Sequence, residues 1–268
     1  MTGAKLAVIT GASSGIGLEL ARCAAADGCE IIICADGDDI HQVREQLAGS
    51  GDKVEAVQSD LGTPEGVETL FNAIGGRRVD YMMANAGRGR GHAFLNQSEA
   101  DFDEVLRVNV IGTTDLLHRT VRMMRTQGSG RILITGSLAG WIPGSYHAVY
   151  NATKAYVDLL SLAIRNEVND TDITVTCLMP GATDTMFFDR AQMLDTPVGK
   201  DPDKDDPAMV AKEGYAAMLD GASGVTTGFM NKVQSLVSGL IPDSVLAAMH
   251  RKMAKPDSTM DDGDNTNV

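Results

Sequence analysis

Apolar residues follow two alternating rhythms along this chain. Short, nearly unbroken runs occur at Lys5 to Thr10 (KLAVIT), Glu30 to Cys34 (EIIIC), Lys53 to Gln58 (KVEAVQ), Val79 to Ala84 (VDYMMA), Arg131 to Thr135 (RILIT) and Ile173 to Leu178 (ITVTCL). Their length and β-branched content are those of buried strands. Between them, apolar positions return every three or four residues, as at Ile16, Leu20, Cys23 and Ala24, which gathers them on one face of a helix. Further helices are predicted at Asp38 to Leu47, Pro64 to Ala73, Phe102 to about Arg125 and about Ala148 to Val168. Strands that alternate with helices pair in parallel through right-handed crossovers, so one parallel sheet with helices on both faces is expected.

Two such strand–helix halves make a doubly wound α/β unit of the Rossmann type, and 268 residues fit it as a single domain. Residues 1–254 are read as that domain. The proline- and charge-rich segment Pro197 to Pro207 is read as a surface loop, and residues 255–268 as a polar, disordered tail. The hydrophobic fraction of 43% supplies a large core. A formal charge of −13 argues against nucleic acid or an anionic membrane as partner. Cys23, Cys29, Cys34 and Cys177 lack metal-ligand spacing, so buried thiols and no metal are expected. The first residues run straight into a strand, and no apolar run is long enough to span a bilayer, so the cytoplasm is the expected location.

The first candidate chemistry lies between strand one and helix one, at Thr10-Gly11-Ala12-Ser13-Ser14-Gly15-Ile16-Gly17. Backbone N–H groups and the helix dipole at such a turn bind a pyrophosphate, although glycine-rich turns also serve purely structural needs. Asp36 ends the second strand, with no Arg or Lys from Ile31 to Gln42. A carboxylate there accepts ribose hydroxyls and repels a 2′-phosphate, which favours NAD over NADP. Asp60, after the third strand, is placed at the adenine edge, with a helix-initiating turn as its alternative.

Tyr150 and Lys154 are four residues apart in a helical segment and share one face of it. A nearby ammonium favours phenolate, so Tyr150 is a candidate acid/base for an alcohol or carbonyl oxygen. Ser137 follows a strand at the carboxyl edge of the sheet, where ligands bind in such folds.

These motifs together resemble the short-chain dehydrogenase/reductase family over about residues 4 to 230. The cofactor turn TGxxxGxG of that family is matched by Thr10 to Gly17, and its NAG by Asn85-Ala86-Gly87. Its catalytic Asn, Ser, Tyr and Lys are matched by Asn109, Ser137, Tyr150 and Lys154, and its PG by Pro180-Gly181, followed by Thr183 and Thr185. The resemblance implies an NAD-dependent oxidoreductase acting on CH–OH groups of a small alcohol or ketone. Tyr150 would be the acid/base and Ser137 would steady the reacting oxygen. Lys154 would bond the nicotinamide ribose and lower the tyrosine pKa, and Asn109 would anchor a relay water. Binding of the nucleotide would fall to Gly11, Ser13, Ser14, Gly15, Ile16, Gly17, Asp36, Asp60, Leu61, Asn85 to Gly87, Tyr150, Lys154, Pro180, Gly181, Thr183 and Thr185. It also implies a homodimer or homotetramer built in part on the two long helices. One departure is Thr183, where Val is common.

Pocket walls are expected at Arg88 to Phe94, Leu138 to His147 and Ala182 to Leu194. Leu138, Trp141, Ile142, Met186, Phe187, Phe188 and Met193 suit an apolar or aromatic substrate, or equally an ordinary core. His147, three residues before Tyr150, is placed either against substrate or, as a lone loop histidine, at the polar surface, and is left outside catalysis; Arg88 and Arg90 are read as part of a mobile glycine-flanked loop, with attraction of an acidic substrate as the lesser alternative. Two other functions compete: an NADPH-dependent biosynthetic ketoreductase, and a nucleotide-sensing regulator that has lost turnover.

Overall fold

The computed structural model describes residues 4–48, 53–228 and 241–257. Among the described residues, seven parallel strands form one sheet: β1 (Leu6–Thr10), β2 (Glu30–Ala35), β3 (Val54–Gln58), β4 (Tyr81–Ala84), β5 (Ser129–Thr135), β6 (Asp172–Met179) and β7 (Gly224–Thr226). Their order is β3-β2-β1-β4-β5-β6-β7. The chain therefore reverses direction between β1 and β4, and a ligand crevice opens outside the carboxyl ends of the strands at such a switch point. Register pairs Val8 with Ile32 and with Met82, and Ile132 with Val175. Those apolar runs are buried on both faces. One face of the sheet packs Val8, Ile32, Met82, Ile132 and Val175 under one set of helices, and the other packs Ile9, Ile31, Ile33, Met83 and Leu133.

The helices are α1 (Gly15–Ala26), α2 (Asp39–Ala48), α3 (Pro64–Ile74), α4 (Glu99–Leu106), α5 (Thr113–Gln127), α6 (Ala148–Glu167), α7 (Phe187–Arg190), α8 (Pro197–Lys200), α9 (Pro207–Leu219) and α10 (Asp243–Ala254). Their starts follow local chemistry. Thr63 caps α3 through Gly66 N–H with Pro64 at the first turn, and Ser98 and Asp101 form a reciprocal capping box on α4.

The helix expected over Phe102 to Arg125 is divided. A π-helical turn, Arg107–Gly112, separates α4 from α5, with Thr113 and Thr114 hydroxyls bonding back to the Val108 and Val110 carbonyls. Apolar spacing continues across the insertion, so periodicity alone reads as one helix. Segment 197–207 is more than a loop: it contains α8, and Thr183 forms a parallel bridge with Asp205. Elements β7, α9 and α10 lie beyond the region where helices and strands were predicted. Most of the stretch expected as a tail, 258–268, lies outside the described residues, while Asp257 at its start bonds back to Asp195 and pairs with Lys200 at 2.5 Å. Among the described residues, no helix is long and apolar enough to cross a membrane.

Candidate active site

The glycine turn after β1 is shaped by contacts that exclude side chains. Gly11 holds φ at +63°, and a Cβ there would sit 2.8 Å from the Ala86 Cα. At Gly17 a Cβ would collide with the Gly11 carbonyl and with the Asn85 amide. The turn thus lies flat against the Asn85-Ala86-Gly87 segment at the end of β4. Thr10 Oγ1 accepts the Asn85 and Ala86 N–H groups, both at 3.0 Å, while Asn85 Nδ2 donates to the Thr10 and Gly11 carbonyls at 3.2 and 3.3 Å. The Thr135 hydroxyl donates to Asn85 Oδ1 at 3.0 Å, so Asn85 ties the ends of β1, β4 and β5 together.

A cleft of about 810 Å³ opens above these strand ends. Of the residues expected to bind nucleotide, all but Gly17 line it, from Gly11 and Ser13 to Ile16 through Asp36, Asp60 and Leu61 to Pro180, Gly181, Thr183 and Thr185. Gly17 lies beneath, buried in α1. Thr185 arches over the turn, with its methyl 2.9 Å from where a Gly15 Cβ would stand. Asp60 serves locally as well: its Oδ1 accepts the Gly62 N–H at 2.8 Å, the helix-initiating turn weighed as its alternative role.

Ser137, Tyr150 and Lys154 also line the cleft. Tyr150 and Lys154 emerge from one face of α6, as their spacing requires. The Lys154 ammonium donates to the Thr135 carbonyl at 2.8 Å and lies 5.8 Å from the Tyr150 ring centre. Ser137 Oγ accepts the Ala139 N–H at 3.1 Å, and its own hydroxyl makes a long 3.4 Å bond to the Pro180 carbonyl. Burial has the largest influence on the Tyr150 phenol and pushes its pKa well up; the Ser137 hydroxyl beside it pulls the other way, and the Asp158 carboxylate adds to the rise. Desolvation thus sets the direction of the shift. Burial likewise pulls the Lys154 ammonium down, opposed by the Asp158 carboxylate.

Asn109, carried by the π turn, stands beneath rather than in the cleft. Its side chain bonds Arg88 N–H and carbonyl, each at 2.8 Å, and Thr153 Oγ1 at 2.9 Å. Its Oδ1 and the Lys154 ammonium both come within 3.5 Å of the same point beside Gly87. A π turn at this place widens the helix and aims Asn109 inward.

Several residues differ from their sequence-based reading. His147 is buried, 5% exposed, and stacks on Tyr150 with ring centres 4.3 Å apart and planes at 18°. Arg88 is no free loop cation: it pairs with Asp36 and, at 3.3 Å, with Glu104. Arg90 pairs with Asp101 at 2.9 Å and with Glu104 at 3.5 Å. Leu138, Ile142, Phe187, Phe188 and Met193 line the cleft, but Trp141 and Met186 are exposed outside it. Two functional features were not foreseen. Helix α10 brings His250, Met253 and Ala254 to the cleft wall, and Asp158 is buried behind Ser137. The polar face of α10 carries no motif, but an acid inside the apolar stretch of α6 was a readable signal.

Among the described residues, no three His, Cys, Asp or Glu side chains are grouped to hold a metal. The cleft does fit a dinucleotide: a glycine-rich turn at a helix N-terminus, a carboxylate at the end of β2, and a Lys154 ammonium that among the described residues donates to Thr135 and has two further N–H donors.

Residues 5–193 match the family described as short chain dehydrogenase. A (2S)-[(R)-hydroxy(phenyl)methyl]succinyl-CoA dehydrogenase subunit from Thauera aromatica is 29% identical over 236 residues, covering 84% of this chain and 92% of the relative. The solved structure of a short-chain dehydrogenase from Sphingobium yanoikuyae in complex with NADPH is 25% identical with a TM-score of 0.79, covering 88% of this chain and 93% of the other. One from Burkholderia phymatum in complex with NAD shares the fold at a TM-score of 0.82 and 21% identity, covering 95% and 98%.

Proposed function

The chain belongs to the short-chain dehydrogenase/reductase family of oxidoreductases, and from that premise we propose that it interconverts a largely apolar ketone and its alcohol with NAD(H), using Tyr150 as the proton donor and acceptor. The observation that carries this reading is Tyr150, 9% exposed, sharing one cleft with Ser137, Lys154 and the glycine turn.

A bound nicotinamide nucleotide supplies or accepts the hydride. The chain supplies binding, orientation and the proton. A phenol whose pKa is pushed up by burial stays protonated at neutral pH, which suits it to give its proton to a carbonyl oxygen as that oxygen gains charge. Ser137, whose long bond to Pro180 is readily exchanged, donates a second hydrogen bond to the same oxygen. The Lys154 ammonium is pinned by Thr135 and keeps two donors for ribose hydroxyls. Asn109 fixes the distance between the Arg88 loop and α6. In alcohol oxidation the proton moves the opposite way, and Tyr150 must first lose its own.

Asp36 supports NAD, because a carboxylate at the β2 end repels a 2′-phosphate. Arg88 supports a second reading. It stands beside Asp36, and exchange of that partner for a 2′-phosphate would admit NADP. Phe187, Phe188, Ile142 and Met193 support an apolar substrate. A homo-oligomer is supported by outward apolar side chains on the two long helical stretches, Leu159 at 69% exposure, Leu162 at 51% and Ile111 at 55%.

The test follows NADH absorbance across a panel of ketones and alcohols. At least one is expected to be turned over, and Tyr150→Phe is expected to lower kcat by roughly 10²–10⁴-fold with NADH affinity retained. Full activity of Tyr150→Phe would reject the assignment.

A further inference from the structure

We propose that His147 is a second polar anchor for the substrate, selecting carbonyl compounds that carry another uncharged oxygen, keto or hydroxyl, beside the reacting carbon. This rests on the reading of Tyr150 given above and adds to it the class of substrate.

The imidazole is held in place by its backbone and by two rings. Tyr146, the residue before it, adopts φ +65°, a left-handed conformation that a bulky residue takes only when the surroundings enforce it. The result turns His147 inward at the start of α6, onto the Tyr150 ring at 4.3 Å. Phe187 covers both rings, its centre 5.0 Å from Tyr150 and 6.0 Å from His147. His147 lines the substrate end of the cleft, yet its buried Nε2 has no hydrogen-bond partner among the described residues. A buried polar nitrogen without a partner is costly, and such groups recur where a ligand completes them.

What would complete it is constrained by the surroundings. Burial pushes the His147 pKa down to about 3, with the nearby His250 adding to the effect, so the ring is neutral. A neutral imidazole bonds a keto or hydroxyl oxygen and offers no charge to a carboxylate or phosphate. The rest of the cleft wall carries charges of both signs, Asp201 and Asp203 with Arg190, so the preference for an uncharged oxygen lies with the neutral ring. The two rings stack at 4.3 Å, so an oxygen that meets His147 belongs to a part of the substrate close to the carbon whose oxygen Tyr150 serves. The Phe187 ring is the cover that must yield. It sits on the four-residue helix α7 against Gly89, where an added Cβ would lie 3.3 Å from His147 Nε2.

The protein saturated with NAD+, which cannot reduce a ketone, is titrated with a matched pair, 1-phenylpropane-1,2-dione and 1-phenylpropan-1-one, reading dissociation constants by calorimetry, and kcat/KM is read separately with NADH by absorbance. Wild type is expected to favour the dione by about tenfold, the scale of one hydrogen bond to a neutral donor. His147→Phe, which keeps the stack, is expected to bring the ratio within about twofold, and His147→Gln to restore part of it. An equal affinity for both ligands in wild type, failure of both to bind, or a preference kept by His147→Phe would overturn the proposal. Preferential dione binding without turnover of either compound would leave the anchor standing and reject the dehydrogenase reading. Turnover of both with equal kcat/KM and equal affinity would do the reverse.

Discussion

Asp158 Oδ1 accepts the backbone N–H of Ser137 at 3.3 Å, so a buried acid on α6 holds the loop that carries the cleft-lining Ser137 hydroxyl. The same oxygen accepts the Cys177 thiol at 3.4 Å, and Lys154 lies one helical turn earlier. Gly136 and Gly140 make room for it, since a Cβ at either would collide with the carboxylate. Packing of α6 under the 136–141 segment therefore links the geometry of Ser137 to the charge beside Lys154.

Burial raises the Asp158 pKa to about 6 from 3.8, with Lys154 and the hydrogen bonds from Cys177 and Ser137 opposing the rise. A carboxyl raised in the folded state imposes no cost below its unfolded value, and stability is lost as pH rises through about 6. The loss is on the order of 3 kcal/mol, about two pKa units at 1.36 kcal/mol each. Asp158→Asn is expected to flatten the fall in urea-unfolding stability between pH 4.5 and pH 8 and to lower kcat about tenfold through Ser137. An unchanged pH dependence of stability would contradict the role.

Because burial pushes Tyr150 up, the proton-donating form persists across neutral pH. Ketone reduction is expected to vary little from pH 6 to pH 8, whereas alcohol oxidation, which needs the deprotonated phenol, is expected to keep rising toward alkaline pH. Rate–pH profiles in both directions check this. Oxidation that peaks below pH 7 would be inconsistent with it.

Asp36 and Arg88 form an ion pair in the cleft beyond the end of β2. Asp36→Ala is expected to weaken NADH binding about tenfold and improve NADPH binding, because the released guanidinium meets the 2′-phosphate. Arg88→Ala is expected to lower NADPH affinity alone. Dissociation constants from quenching of nucleotide fluorescence separate the two, and tighter NADPH than NADH binding in wild type would favour the second cofactor reading.

Leu159, 69% exposed on α6, stands with Leu162 on the outward side of that helix. A charge at the centre of an apolar interface leaves it unpaired and desolvated. Leu159→Arg is expected to convert the proposed oligomer to monomer in light scattering coupled to gel filtration, and a monomeric wild type would remove this expectation.

The strand–helix alternation was readable because buried parallel strands must be apolar on both faces, as Ile31 to Ile33 are. The π turn was not, since it adds a residue to a turn without disturbing the apolar spacing around Asn109. The placement of α10 was equally hidden. Its residues His250 and Met253 reach the cleft across about a hundred residues of sequence, and nothing local in them encodes that.

By itself the sequence determined the glycine turn, the α6 pair Tyr150 and Lys154, and the alternation of strands and helices through β6, because each depends on spacing within one or two elements. Only the tertiary structure decided that His147 lies buried against Tyr150 and that Arg88 reaches Asp36. It also decided that burial pushes the phenol's pKa up. Burial and long-range charge are properties of the assembled interior, and dielectric environment has no counterpart in a local pattern of residues.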